Sequence, residues 1–281
     1  MLIRHLALVS EVGNAISPSQ LCKVGAALQK QVTRDFAPIW KVRATVSAFA
    51  SLDDIPLGYW PVIVVKDVKN AAGVHLDEQG QPFALVEFGS EWSLTASHET
   101  LEMLADPFGN RLVAGASPKP DQGRVEFLVE VCDPSESAEF SYTVNGVAVS
   151  DFYTPRFFDP QVAPAVRYSF TGAIERPRQV LRGGYLSWHD PVSDHWFQEQ
   201  FFGAKAVFSD LGKLTDAAGS LRASLRSLVD GRTPEARAFV RSAGTDRMAQ
   251  LTKSSKSNDE GASAKAKALR RQIAALKESP R

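Results

Sequence analysis

His98-Glu99-Thr100-Leu101-Glu102-Met103-Leu104-Ala105-Asp106-Pro107 sets one imidazole and three carboxylates into a run whose other residues read as a buried helix. On a helix, His98 and Glu102 stand four residues apart, so both side chains leave the same face one turn apart and can reach a single ion, with Glu99 beside them. Leu101, Met103 and Leu104, extended upstream by Trp92 and Leu94, make the segment too apolar to be a freely solvated charged face. Charges set into a buried helix need partners. A divalent cation supplies one: neutral His and ionised Glu are ordinary zinc ligands, and carboxylate oxygens also suit manganese or calcium. A solvated or core histidine with no ion is the competing reading.

Upstream of that helix, Leu2 to Val9 reads as a strand. Ser17 caps a helix with Pro18 at its first position. Leu21, Val24, Ala27, Leu28, Val32 and Phe36 recur at helical spacing, and Pro38 is expected to end the element. Val42 to Phe49 alternates as a second strand, Val62 to Val65 is a short buried one, Asp77 to Gln81 carries turn chemistry, and Phe83 to Phe88 is another strand before the His98 helix opens near Ser90 to Ser93. The order is strand, helix, three strands, helix.

Downstream, short strands are expected at Val125 to Val131, Phe140 to Val144 and Val147 to Phe152, with Asn145-Gly146 as a type I′ hairpin turn. From Phe208 to Val240 the pattern reads as helical through Leu211, Leu214, Leu221, Leu225 and Leu228, with Gly231 as a stop and Pro234 near a new start. Residues 251–281 hold eight Lys or Arg against three acids among many Ser and Ala, which predicts a mobile or partner-ordered tail. The fold class is therefore α+β: a twisted mixed sheet with a metal-site helix, a β-rich second half and C-terminal helices. Residues 1–200 form the main domain, with the sheet and helices in 1–110 and the β-rich part in 111–200. Residues 201–250 make a helical segment and 251–281 the tail.

Thirty-two basic side chains balance 32 acidic ones, so nothing in the charge predicts a nucleic-acid partner. Cys22 and Cys132 are too few for a disulfide framework and do not form a CxxC pair. Glu11 interrupts the short apolar run after Met1, and no run approaches the length of a membrane span, so the sequence predicts neither a signal peptide nor membrane association. The expected location is cytoplasmic or within a larger assembly.

Several motifs recur together: His98-Glu99-x-x-Glu102-x-x-x-Asp106-Pro107, Glu130-Val131-Cys132-Asp133, Tyr142-Thr143-Val144-Asn145-Gly146-Val147, and Pro155 with Phe158-Asp159-Pro160. Over residues 1 to 190 this set resembles uncharacterised bacterial zincin-like proteins. Over residues 95 to 160 it more distantly resembles the plant EXORDIUM or phosphate-induced family. It departs from the plant pattern in placing Cys132 before Asp133. The first motif differs by one residue from HExxH, the zincin signature in which two His bind zinc and the Glu activates water. The resemblance implies a zincin-like fold, in which a twisted sheet backs the metal helix and an edge strand, here Phe83 to Phe88, borders the substrate cleft.

His98 and Glu102 are thus the first two candidate ligands, and the third is open between Glu130 and Asp106. Asp106 lies eight residues past His98, about 12 Å along an ideal helix, unless Pro107 breaks the helix and lets Asp106 fold back. Glu130, on a predicted strand, approaches from the C-terminal half and is preferred. Asp133 is expected to orient His98 from behind. Glu99 would be the general base, and Tyr185 in Gly183-Gly184-Tyr185 the oxyanion donor, with His189 and His195 as alternatives. His75 reads as a loop residue near the cleft. Two functions follow: a zinc metallopeptidase acting on a peptide or protein, or a catalytically inactive zincin-like assembly protein docking on a protein partner through residues 251–281.

Overall fold

The computed structural model describes residues 2–68, 71–78, 80–214 and 224–233. Leu6 to Val9 are completely buried, and this short continuous apolar run makes β1 (Arg4–Ser10) the interior strand of a sheet, hydrogen-bonded in parallel to β2 (Ala44–Ala48) and β3 (Trp60–Val65). Helix α1 (Pro18–Lys30) joins β1 to β2 and starts where Ser17 accepts from the Gln20 amide. Two further strands, β4 (Gly73–Glu78) and β5 (Gln81–Glu87), complete the sheet in the order β2-β1-β3-β5-β4, with β4 antiparallel to β5. Val62, Val64, Ala84 and Val86 are buried while Ile63 and Leu85 between them are half-buried. One face of the sheet therefore carries the helices, with α1 packed on β2 and α3 (Trp92–Ala105) on β5 and β4.

Two expectations change here. Phe83 to Phe88 is not the edge: β5 lies between β3 and β4, and the edge strand is β4, which holds His75 and which the mixed composition of Gly73-Val74-His75-Leu76-Asp77-Glu78 concealed. Pro38 also fails to stop its helix. Residues Gln31–Phe36 widen into a π-type turn, and α2 (Ala37–Trp40) continues the axis until Lys41 adopts a left-handed conformation. A proline at the first turn of the new segment has no amide to satisfy, and the widened turn before it accommodates the ring.

Beyond α3 the chain builds a second, antiparallel sheet from β6 (Leu112–Ala116), β7 (Arg124–Leu128), β10 (Tyr185–Asp190), β11 (His195–Gln200) and β12 (Val207–Gly212), in the order β12-β11-β10-β7-β6. Between β7 and β10 lies the hairpin of β8 (Tyr142–Val144) and β9 (Val147–Val149). Asn145 and Gly146 both have positive φ there, as a type I′ turn requires. Residues 207–212 correct the helical reading that began at Phe208: they form an edge strand on β11, and among the described residues of that stretch α4 (Leu225–Asp230) is the helical part, ending at Gly231. The readings at Leu221, Pro234 and the 251–281 tail lie outside the described residues.

The described residues thus form a mixed α+β structure, with several sheets and few helices among them. One hydrophobic cluster runs from the first sheet through α1 and α3 into the second. Buried polar links cross it: Ser97 on α3 donates to Gln31 (2.7 Å), whose amide donates to the Ser150 carbonyl (3.0 Å), and the Ser150 amide donates back to Ser97 (2.9 Å). All these groups are satisfied, so the network fixes α3 against α1 and the hairpin without a desolvation penalty. No helix among the described residues is long and apolar enough to cross a membrane.

Candidate metal centre

Helix α3 is buried almost all round: Leu94, Leu101, Met103 and Leu104 are inside, and so are Glu99 and Glu102. The helix ends at Asp106, whose backbone leaves the helical region before Pro107. As the four-residue spacing requires, His98 and Glu102 meet, with His98 Nε2 3.3 Å from Glu102 Oε2. The other Glu102 oxygen accepts from the Cys132 amide at 3.1 Å, which turns Oε2 toward the histidine. His98 Nε2 also lies 3.1 Å from Asp133 Oδ1. In a zinc tetrahedron with bonds of about 2.0–2.1 Å, neighbouring ligand atoms stand roughly 3.3 Å apart. Both carboxylate oxygens therefore stand at ligand spacing from His98 Nε2, and the three donor atoms lie within 4.8 Å of one another.

Asp133 strengthens this fit. It is 2 % exposed, and neither carboxylate oxygen has a hydrogen-bond partner; Glu102 Oε2 is equally without one, its ion-pair neighbours being out of alignment. Buried carboxylate oxygens left in that state are costly unless a cation answers them.

The three carboxylates expected around this pair take different positions. Asp106 stays at the helix end, where its carboxylate accepts the Arg111 amide at 2.7 Å. Glu130 is also buried but pairs with Arg226 Nε at 2.9 Å. Asp133 faces the nitrogen of His98 that Glu102 also faces, which is a ligand's position; a residue steadying the ring from behind would approach the other nitrogen.

His75 and Arg226 complete the centre. His75, 1 % exposed on β4, is no loop residue: its Nδ1 lies 3.4 Å from Glu99 Oε2 and 3.8 Å from Glu102 Oε2. Arg226 reaches in from α4 with Nη1 3.2 Å from Glu99 Oε2 and 2.9 Å from Glu102 Oε2, while Nε lies 3.2 Å from Asp230 Oδ2. Neither role was legible from the local sequence. For Arg226 the available signal was its place three residues before the fully buried Val229, on the inward face of a Leu-rich turn.

Burial raises the Glu102 carboxyl, but His98 and Arg226 outweigh it and bring it down to about 2. Glu99 is raised by burial and lowered further by Arg226 and His75, so it too ends below the ordinary value. His98 is lowered by burial, yet Glu102, Cys132 and Asp133 hold it well above the usual imidazole range. An incoming cation must therefore displace a proton from His98, and binding should strengthen as pH rises. Burial, with Asp133 next, drives Glu130 well up; Asp230 is raised by burial against Arg226 to about 7.

Tyr185 lines the cleft together with Thr95, His98, Glu99, Asp133 and Arg226. Its hydroxyl is pushed well up by burial and by Asp133, so it keeps its proton and remains a donor. Tyr153 was missed by sequence reasoning; its buried hydroxyl has no hydrogen-bond partner and is raised by burial and by Glu102, Glu130 and Asp133. His189 and His195 belong elsewhere. They face Glu126 with Asp194, and Asp210, respectively, and neither lines the cleft.

Two glycines allow the close approaches. A Cβ on Gly73 would stand 2.8 Å from Glu99 Cγ and 2.6 Å from Thr95 Cγ2, so β4 reaches α3 only with hydrogen there. A Cβ on Gly184 would meet the backbone carbonyl oxygens of Asp133 at 2.5 Å and Pro134 at 2.6 Å, which flexible side chains cannot relieve. Gly184→Ala is expected to cost about 1–3 kcal/mol by overpacking and to weaken metal binding by displacing Asp133. Thermal unfolding and zinc calorimetry on the same preparation check both; unchanged zinc affinity would show that Asp133 is not a ligand. Comparison of the chain with protein-family models, with curated proteins and with solved structures found no match.

Proposed function

We propose that the chain is a metal-dependent hydrolase, a zincin-like metallopeptidase in which His98, Glu102 and Asp133 hold a divalent cation, zinc by preference. The observation that carries this reading is the convergence of His98 Nε2 with two buried carboxylates at 3.1 and 3.3 Å, one of them without a hydrogen bond on either oxygen. The surroundings support it. A sheet backs the metal helix and an edge strand borders the cleft, which is the arrangement the sequence resemblance implies, with β4 as that strand.

Bound there, the cation supplies Lewis-acid polarisation of an acyl oxygen and acidifies water. Glu99, held anionic beside the cleft, accepts the proton of the attacking water and passes it to the leaving amine. Tyr185 donates its retained proton as a hydrogen bond to the oxygen on which charge develops.

A structural role is the second reading, favoured by one observation: Arg226 joins Glu99, Glu102, Glu130 and Asp230 into a closed ionic network that ties α4 to α3. Metal analysis with a peptide-library cleavage assay separates the two. The wild type is expected to retain about one equivalent of zinc, as one three-ligand site demands, and to cleave members of the library; His98→Ala should lose both. Zinc without cleavage across a broad panel favours the structural role, and absence of zinc binding discards the metal centre.

A further inference from the structure

His75, Glu99 and Glu102 put a second set of donor atoms next to the first. His75 Nε2 lies 3.0 Å from the Asp106 carbonyl oxygen, and a carbonyl only accepts, so this nitrogen carries the ring proton. Nδ1 is left with its lone pair, aimed at Glu99 Oε2 and Glu102 Oε2. A histidine whose far nitrogen is pinned to a backbone carbonyl, so that the near one can only accept, has the set-up of a metal ligand. All three residues are buried, and their donor atoms lie within 4.8 Å of one another.

A cation already stands among these atoms. Arg226 Nη1 donates to His75 Nδ1 and lies 3.2 Å from Glu99 Oε2 and 2.9 Å from Glu102 Oε2. One positive charge there faces two carboxylates, whereas a divalent ion would answer both and accept the imidazole lone pair as well. The arm that carries Arg226 is short: α4 has six residues, held next to the arginine by the Arg226 amide on the Gly109 carbonyl (3.0 Å) and the Leu225 amide on Asn110 (2.8 Å).

We infer that His75, Glu99 and Glu102 form a second divalent-cation site, that the Arg226 guanidinium is its resident occupant, and that metal and arginine compete for it. The inference rests on the proposed centre in one respect, since Glu102 belongs to both sets; His98 with Asp133 and His75 with Glu99 are separate. It also sets a limit on the proposed chemistry. Glu99 cannot ligate a cation through Oε2 and take up a water proton with the same oxygen, so filling the second site removes the base.

The test is zinc titration calorimetry on the full chain, with thermal unfolding to verify folding. Arg226→Gln is expected to bind one equivalent more than the wild type, or to bind the second equivalent about 10- to 100-fold more tightly, as release of a competitor that leaves the site open only 1–10 % of the time would give. Adding His75→Ala should remove that equivalent and leave the one that His98→Ala removes. A titration of Arg226→Gln indistinguishable from the wild type, or an extra equivalent that survives His75→Ala, overturns the inference. Should Arg226→Gln not fold, Arg226→Met, which keeps the apolar stem and carries no charge, is read by the same criteria. Failure of the hydrolase reading looks different: the equivalent sensitive to His98 is then the one that never appears.

Discussion

Glu99→Gln should lower peptide turnover by about 10²- to 10⁴-fold, the usual worth of a positioned general base, while zinc content stays at the wild-type level. The amide keeps the shape of the side chain beside Gly73 and Thr95 and can still accept a hydrogen bond from Arg226, but it cannot take up a proton. His98, Glu102 and Asp133 are untouched. Steady-state kinetics with metal analysis on one preparation read the outcome. Activity within a few-fold of the wild type would remove Glu99 from the proton-transfer role and leave the centre without a base.

Glu102→Ala is the variant expected to do most damage to the fold. Glu102 is fully buried and answers His98 and Arg226 at once, so its removal leaves the buried guanidinium and the half-buried imidazole each short of a partner, at a cost of about 3–5 kcal/mol. Denaturant unfolding near neutral pH measures it. The pH dependence follows from the depressed carboxyl. At about 2 in the folded state against 4.5 unfolded, Glu102 contributes stability that is fully present above pH 4.5 and is lost as pH falls toward 2. That contribution is about 3 kcal/mol from the size of the shift. The variant's stability profile should therefore be flatter than the wild type's over that range; parallel profiles would show that Glu102 is not the group responsible.

The helix bearing His98 was legible because its spacing and burial arise within one segment: apolar residues all round, charges at one-turn intervals and Pro107 at the end. The Asn145-Gly146 hairpin was legible for the same local reason. What failed was long-range. Asp133 was separated from Glu130 and Asp106 only by the path of the chain after β7, where Gly184 lets the second sheet press on the Asp133 backbone. His75 looked like a loop residue because β4 lacks a clear alternation, and pairing with β5 is what makes it a strand. In residues 207–212, propensity said helix and hydrogen bonding to β11 won. Arg226 was hidden because a buried arginine is explained only by the carboxylates around it, and three of those come from two distant parts of the sequence, α3 and the segment after β7.

The position of Arg226 in the chain also fixes an order of events. Synthesis delivers the N-terminal part first, so His75, the whole of α3, Asp133 and Tyr185 emerge well before the guanidinium that closes the cluster. Until residue 226 arrives, the carboxylates on α3 and at Asp133 face the His98 and His75 imidazoles and ions from solution, without the guanidinium. The cleft is then at its most electronegative and least obstructed. On the metal reading proposed above, the opportunity to take up an ion is greatest in the nascent chain, before the arginine arrives to close the cluster.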